Sequence, residues 1–521
     1  MCPTRLRTLV VVHYHLRPGG VRSVIETSLP AMVKRLNVSR IMILAGEEAP
    51  DDWTIRLANH LPQTELVTRF EKACGYLSEL VLPASTLRRR IALVLDEAIC
   101  ADRPEESLIW FHNPGLGRNL LLNEGLRVFI RRTGIGLVAH HHDFWVENRW
   151  SRWPEMRRAG FRTLSRAADA VFFSGTNTAH SAITRRDQGV LADDLTAVTW
   201  LPNPARSFPK RTSAARSWLT GQLGDSSPVW ILPTRLLRRK NIAEAILLTR
   251  WFCPDGWMIT AGGASSAAEA DYVRRIAQAA QIGRWRVNLG LKPSAGTPSM
   301  SDLMASSEAV LLTSVQEGFG LPFLEAASLG KPLIARRLDN IQPDLDALGV
   351  RVPHLYTEIL IPCGLFDLRA EVARQRRIFQ QWKSRLPRSI QTMAERPKIL
   401  KNPGETIPFS RLTLTAQLEV LAHPAPESLA ASQPWNPGWE SVANRQWIPM
   451  ELGTQAARFL SPEAAAKRFA DQIGPIPRSI ESSAASACLS RLIGESLRAD
   501  RYFPILAENH SLARPPSGGA D

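Results

Sequence analysis

The sequence predicts an α/β chain of two successive doubly wound domains, each a parallel sheet covered by helices. Three observations carry this. Short apolar runs, β-branched or aromatic and about a strand long, alternate with longer mixed segments that often show helical spacing. The rhythm stops near residue 204 and restarts at 228. The length, 521 residues, fits two to four domains at roughly 100–200 residues each.

In the first part the predicted strands are TLVVVHY (8–14), RIMILAG (40–46), SLIWFHN (107–113), GIGLVAHH (134–141), AVFFSG (170–175) and TAVTWLPN (196–203). Runs apolar throughout, without alternation, point to strands buried on both faces. The segment from 204 on is rich in Pro, Ser and Arg and reads as a connection. Strands then resume at PVWILPT (228–234), GWMITAGG (256–263), WRVNLG (285–290), EAVLLTS (308–314) and KPLIARR (331–337). The expected division is a first domain 1–207, a linker 208–227, a second domain 228–400 and a C-terminal extension 401–521. In the extension, 420–450 reads as irregular, about 454–473 and 484–500 as helices, and ARPPSGGAD as a disordered tail.

Hydrophobic residues make up 44% and charged residues 22%, which excludes a disordered chain. No apolar run reaches the 18 residues of a membrane span, and the run 9–12 is too short for a signal segment. Six scattered cysteines without a CxxC pair point to reduced thiols in the cytoplasm. The formal net charge of +15 calls for an anionic partner. It has two foci: nine Lys/Arg against two Asp/Glu in 201–250, and ten against four in 351–400.

Several residues could carry chemistry. Gly19 and Gly20 follow the first strand; they fit either a plain tight turn or a loop that lets a ligand approach the backbone. The GxGxxG spacing of dinucleotide enzymes is lacking. Arg235 and Lys240 in TRLLRRKN follow the strand 228–234, where ligands of open α/β sheets bind, and two cations there can neutralise a diphosphate. The alternative is a basic loop; Arg238 and Arg239 are expected in solvent. The densest stretch is SVQEGFGLPFLEAASLGKPLIA (314–335). Gly318, Phe319 and Gly320 precede Pro322, a first-turn residue, so an anion can sit at the helix N-terminus. Glu325 then suits a ribose diol and Glu317 a sugar; a helix-stabilising role is the plainer alternative for Glu325.

These motifs resemble those of family 4 retaining glycosyltransferases, which have the GT-B fold. S-x-x-EGFGLPFLEA, with Glu317 and Glu325, is similar to the family's signature. Arg235 and Lys240 match its diphosphate-binding pair, and Gly19 and Gly20 its N-terminal loop. His142-Asp143 resembles its His-Asp motif, and Asn203 the asparagine leading out of the first domain. The resemblance covers about residues 8–337. It implies two Rossmann-like domains facing across a cleft, with a late helix crossing back to the first. The implied reaction transfers a glycosyl group from a nucleotide-diphosphate sugar with retention and without a metal, cofactor or bound ion. Catalytic roles fall to Glu317 and His142, donor binding to Gly19, Gly20, Asp143, Arg235, Lys240, Gly318, Phe319, Gly320 and Glu325. The acceptor, a glycan, lipid or small molecule, is left open. Where the family has a Gly-rich Pro-Glu segment, this chain has RRLDNIQPDLDALG.

Other features compete. His140, His141 and His142 alternate faces in a strand, so at most two share a metal, and no third ligand is evident. Asp344-x-Asp346 reads as a chance triplet. The basic segment 369–388 carries Phe379, Trp382 and Leu386 at helical spacing. It packs on its own core or, alternatively, lies on an anionic membrane. Its arginines are not interleaved with stacking aromatics, which argues against nucleic acid. Rival readings are a silent nucleotide-sugar-binding or membrane-docking scaffold, and a GT-B epimerase or phosphorylase.

Overall fold

The computed structural model describes residues 6–99, 103–205, 212–260, 262–263, 267–291, 296–474 and 480–508. The tail ARPPSGGAD, Cys2 and Cys100 lie outside them. The chain divides into two compact units: Met1–Ala205 with Thr454–Ser496, and Arg206–Gly453 with Leu497–Asp521.

Unit 1 holds strands β1 (Thr8–His13), β2 (Arg40–Ala45), β3 (Glu65–Phe70), β4 (Ser107–His112), β5 (Gly136–His141), β6 (Thr178–Ala182) and β7 (Val198–Trp200). They form one sheet in the order β3-β2-β1-β4-β5-β6-β7, every pair parallel. Unit 2 holds β8 (Val229–Leu232), β9 (Trp257–Thr260), β10 (Val287–Asn288), β11 (Ala309–Leu312), β12 (Leu333–Arg336) and β13 (His354–Tyr356). Their order is β10-β9-β8-β11-β12-β13, again all parallel. Both orders are doubly wound and reverse direction beside their first strand, between β1 and β4 and between β8 and β11. Ligands of such sheets bind at this switch point, beyond the strand carboxyl ends.

The central strands are apolar because helices cover both faces: Leu9 to Val12, Leu108 to Phe111 and Val229 to Leu232 are all buried. In unit 1 the helix Gly20–Leu36 and the late helix Pro462–Ile473 share a core with β1, through Ile25, Leu29, Ala466 and Phe469. The late helix is well started: the Ser461 hydroxyl accepts from the Ala464 amide, and Pro462 sits where no amide is needed.

Several expectations need correcting. AVFFSG is not a strand: Ala170 and Val171 end the helix Leu164–Val171, and the strand is the more polar Thr178–Ala182. The stretch read as a linker contains the helix Thr212–Leu223. Residues 401–453 are not an appendage, because Ile407, Phe409, Leu412 and Val420 share one core with Trp230, Ile246 and Leu311. The segment 420–450 contains the helices Ala425–Ser432 and Glu440–Ala443. A small antiparallel pair, β14 (Leu360–Pro362) and β15 (Thr406–Pro408), ties this region to the rest of unit 2. Among the described residues no helix is long and apolar enough to cross a membrane. The four described cysteines are free.

Candidate functional site

In unit 2 the segments after β8 and β11 meet at the switch point. Thr313 Oγ1 donates to the Lys240 carbonyl at 2.9 Å, and the Val315 amide to the Arg239 carbonyl at 2.8 Å. This staple sets the basic turn Arg238–Lys240 against Glu317. Lys240 Nζ donates to Glu317 Oε1, Arg239 Nη1 to Oε2 at 2.8 Å, and Ser314 Oγ to Oε1 at 2.5 Å. Lys240 and Glu317 are only 6% and 7% exposed. Burial would raise the Glu317 carboxyl, but Lys240 and Arg239 outweigh it and bring it down to about 2. Burial also lowers the Lys240 ammonium, which Glu317 and Glu325 pull back upward. Glu325 therefore lies within electrostatic reach of Lys240.

The Glu317–Gly320 turn is held from the side that departs from the family pattern. Asn340 Nδ2 donates to the Glu317 carbonyl at 2.7 Å. Gly320 has φ 72°, and a Cβ there would lie 2.8 Å from Phe323 and 2.9 Å from Ile341. Only glycine fits that conformation and that space. The helix Leu321–Leu329 starts immediately after it, with Pro322 in its first turn.

Arg238 and Arg239 are not the solvent-facing pair expected. Arg238 is buried, its amide bonds Glu269 at 3.0 Å, and its guanidinium lies over Tyr272. Arg239 grips Glu317. Arg235 is the exposed member of the segment. Sequence reasoning missed Arg239, Ser314 and Asn340. Arg239 adjoins a chosen residue, but nothing in the sequence marks Asn340.

In unit 1, His142 follows β5 directly and is buried, its Nε2 3.2 Å from His112 Nδ1. Burial first, then neighbouring histidines, push His142 well below the usual histidine range, so the ring is neutral. Asp143 pairs with Arg149 at 3.3 Å, and its amide donates to Asn113 Oδ1 at 3.1 Å. Asn203 is buried. Gly19 and Gly20 are exposed at the start of the helix Gly20–Leu36. Gly19 is extended and a Cβ would meet only the Arg17 carbonyl, at 3.9 Å. The turn therefore does not demand glycine there. Beside this loop a cavity of about 240 Å³ opens past the ends of β1, β2 and β3, lined by Tyr14, His15, Glu47, Lys72, Tyr76 and Glu79 among others. Arg17 bridges its two carboxylates, reaching Glu47 at 2.8 Å and Glu79 at 2.7 Å.

The other candidates are structural. Phe379, Trp382 and Leu386 are buried, and the two aromatics pack on Tyr502 within unit 2. That stripe is not available to a membrane. Asp344 and Asp346 lie on the helix Gln342–Leu348, where Asp346 accepts from Gln342.

Two Rossmann-like, doubly wound parallel units in one chain define the GT-B class of fold. The chain is 23% identical over 357 residues to the mannosylglucosyl-3-phosphoglycerate synthase of Petrotoga mobilis, covering 65% of this chain. The match spans 66% of that relative's length, just short of two thirds. Among solved structures, Anabaena HepE in complex with UDP-glucose aligns with a TM-score of 0.46 at 18% identity, over 84% of this chain and 97% of that one. Sucrose-phosphate synthase of Thermosynechococcus elongatus aligns with a TM-score of 0.47 at 14% identity, over 84% and 97%. No family model matches the chain.

Proposed function

We propose that this protein is a retaining glycosyltransferase that moves a sugar from a nucleotide-diphosphate donor to an acceptor, with no metal ion on the diphosphate. The observation that carries the reading is the Lys240–Glu317–Arg239 cluster at the switch point of unit 2, beside the start of the helix Leu321–Leu329. Two cations and one carboxylate leave a net positive charge, which an anion can complete. In this reading Arg235 and Lys240 take the diphosphate, with backbone donors at Gly318, Phe319 and Gly320. The charge that develops on the departing diphosphate is thus met by groups already oriented. Glu325 holds the ribose. Glu317 contacts the sugar and stabilises positive charge at its reacting carbon. Neutral His142, with Asp143, orients the sugar, as the resemblance implies; Gly19 and Gly20 leave room for donor or acceptor.

The similarity to a mannosylglucosyl-3-phosphoglycerate synthase supports a sugar-transfer reaction. The acceptor is assigned to the cavity of unit 1, whose hydroxyl, carboxylate and ammonium lining suits a polyhydroxy compound.

The test is thermal stabilisation by UDP, GDP and ADP and their sugar conjugates, with and without EDTA. A ligand at about 100 times its dissociation constant adds roughly 2.7 kcal/mol. One nucleotide should shift the melting point, equally with EDTA present. No shift from any of them, at concentrations that saturate known donor sites, removes the donor-site assignment and leaves the scaffold reading.

A further inference from the structure

Strands β4 and β5 run side by side with His112 opposite His140. His142 lies two residues beyond His140, on the same side. One ring nitrogen from each of the three lies within 4.8 Å of the others. From these residues we propose a second site in unit 1: His112, His140 and His142 bind one late first-row transition-metal dication, with Zn²⁺ the type case and water in the fourth position.

The geometry is close to what such an ion needs. Zn–N bonds of about 2.0–2.1 Å in a tetrahedron place the ligand nitrogens about 3.4 Å apart. His112 Nδ1 and His142 Nε2 already stand 3.2 Å apart. The third ring offers a nitrogen within 4.8 Å of both.

The hydrogen bonding points the same way. His140 Nε2 lies 3.1 Å from the Leu201 carbonyl. A carbonyl only accepts, so Nε2 carries the proton and Nδ1 presents its lone pair. Nδ1 is buried and has no hydrogen-bond partner among the described residues. A histidine whose far nitrogen donates to a backbone carbonyl is the usual outer-shell arrangement of a metal ligand. His112 Nε2 is also buried without a partner among the described residues. His112 is 0% exposed and His140 1%. The His140 Nδ1 orphan is the one an ion would complete, because the His112 atom facing the cluster is Nδ1, 3.2 Å from His142 Nε2.

Ligand type selects the ion. Three imidazoles without a carboxylate favour zinc, copper, nickel or cobalt over magnesium, calcium or manganese. His141 is excluded, because it faces the other way and bonds His180 at 3.0 Å.

The site stands whether or not the chain transfers a sugar. If His142 does orient the donor sugar, an ion on His142 would compete with that role.

The test uses the full chain without a histidine tag. Zn²⁺ binding is measured by equilibrium dialysis, and Co²⁺ binding by its visible spectrum. We expect one equivalent per chain and the intense bands of a four-coordinate site. His112→Gln and His140→Gln should each weaken binding by more than the roughly 10–100-fold that losing an outer-shell partner costs. His60→Gln, at an exposed position, should change nothing. Absence of stoichiometric binding, six-coordinate Co²⁺ bands, or equal affinity in folded His112→Gln and His140→Gln would each overturn the site. The wild-type spectrum decides the matter even where a variant fails to fold.

Discussion

Replacing Glu317 by glutamine separates the structural from the ligand-binding role of the unit 2 cluster. In the wild type the carboxylate is held at about 2 against an ordinary 4.5. At about 1.4 kcal/mol per unit, that is roughly 3 kcal/mol of preference for the charged form at neutral pH. Glutamine keeps the shape and can still accept from Lys240, but it removes the negative charge that Lys240 and Arg239 share. The expected cost is therefore about 3 kcal/mol, within the range for breaking a buried pair. At 2–4 °C per kcal/mol for a unit of this size, the melting point of unit 2 should fall by about 6–12 °C. The pH dependence follows from the depressed value. The wild-type contribution is complete above the unfolded value near 4.5 and is lost as pH falls towards 2. Glu317→Gln should lack that component, so the two melting curves converge in acid. The same variant should be stabilised more than the wild type by pyrophosphate or the cognate nucleoside diphosphate, because the ligand then supplies the missing negative charge. Scanning calorimetry from pH 7 to pH 3, with and without pyrophosphate, reads all three effects. An unchanged melting point at pH 7 would refute the reasoning, since Lys240 and Arg239 would then be satisfied without Glu317.

Three further outcomes follow. Glu325→Gln should weaken binding of the cognate nucleoside diphosphate by roughly tenfold, the worth of a charge-assisted hydrogen bond, while leaving pyrophosphate binding intact; competitive titration checks the ratio. Gly320→Ala should cost more than about 1 kcal/mol in urea unfolding, because it combines φ 72° with a Cβ 2.8 Å from Phe323. Arg336→Met should cost about 3–5 kcal/mol in the same assay, because it strands Glu244, buried among Arg336 and Tyr356, while nucleotide selectivity stays unchanged.

The fold was legible where apolar, β-branched runs such as Val10 to Val12 or Val229 to Leu232 become doubly covered parallel strands. It was illegible where tertiary partners replace composition. The strand Thr178–Ala182 carries Thr178, His180 and Ser181, all buried. It remains stable because His180 meets His141, the Ser181 hydroxyl donates to Gln472, and Gln472 donates to the His180 carbonyl. Gln472 arrives from almost three hundred residues away, so no window around 180 contains the reason. The apolar AVFFSG beside it attracted the strand assignment instead, because a buried helix end and a buried strand share one composition.

The candidate site divides in the same way. Glu317, Glu325, Lys240 and the glycines lie in two short segments, whose types and spacing suit an anion beside a polyol. The partners that set their electrostatics are spread more widely. Asn340 comes from the segment where the family pattern fails, yet it fixes the Glu317 carbonyl. That departure from the pattern therefore still serves the turn that presents the signature. The histidines give the converse case. Strand alternation correctly put His140 and His142 on one face and His141 on the other. The cluster's third ring, His112, is supplied by the parallel register of β4 against β5. Register is a property of the folded sheet and is not encoded within either strand. Chemistry carried along one segment could be read from the chain, whereas chemistry assembled across neighbouring strands had to await the sheet.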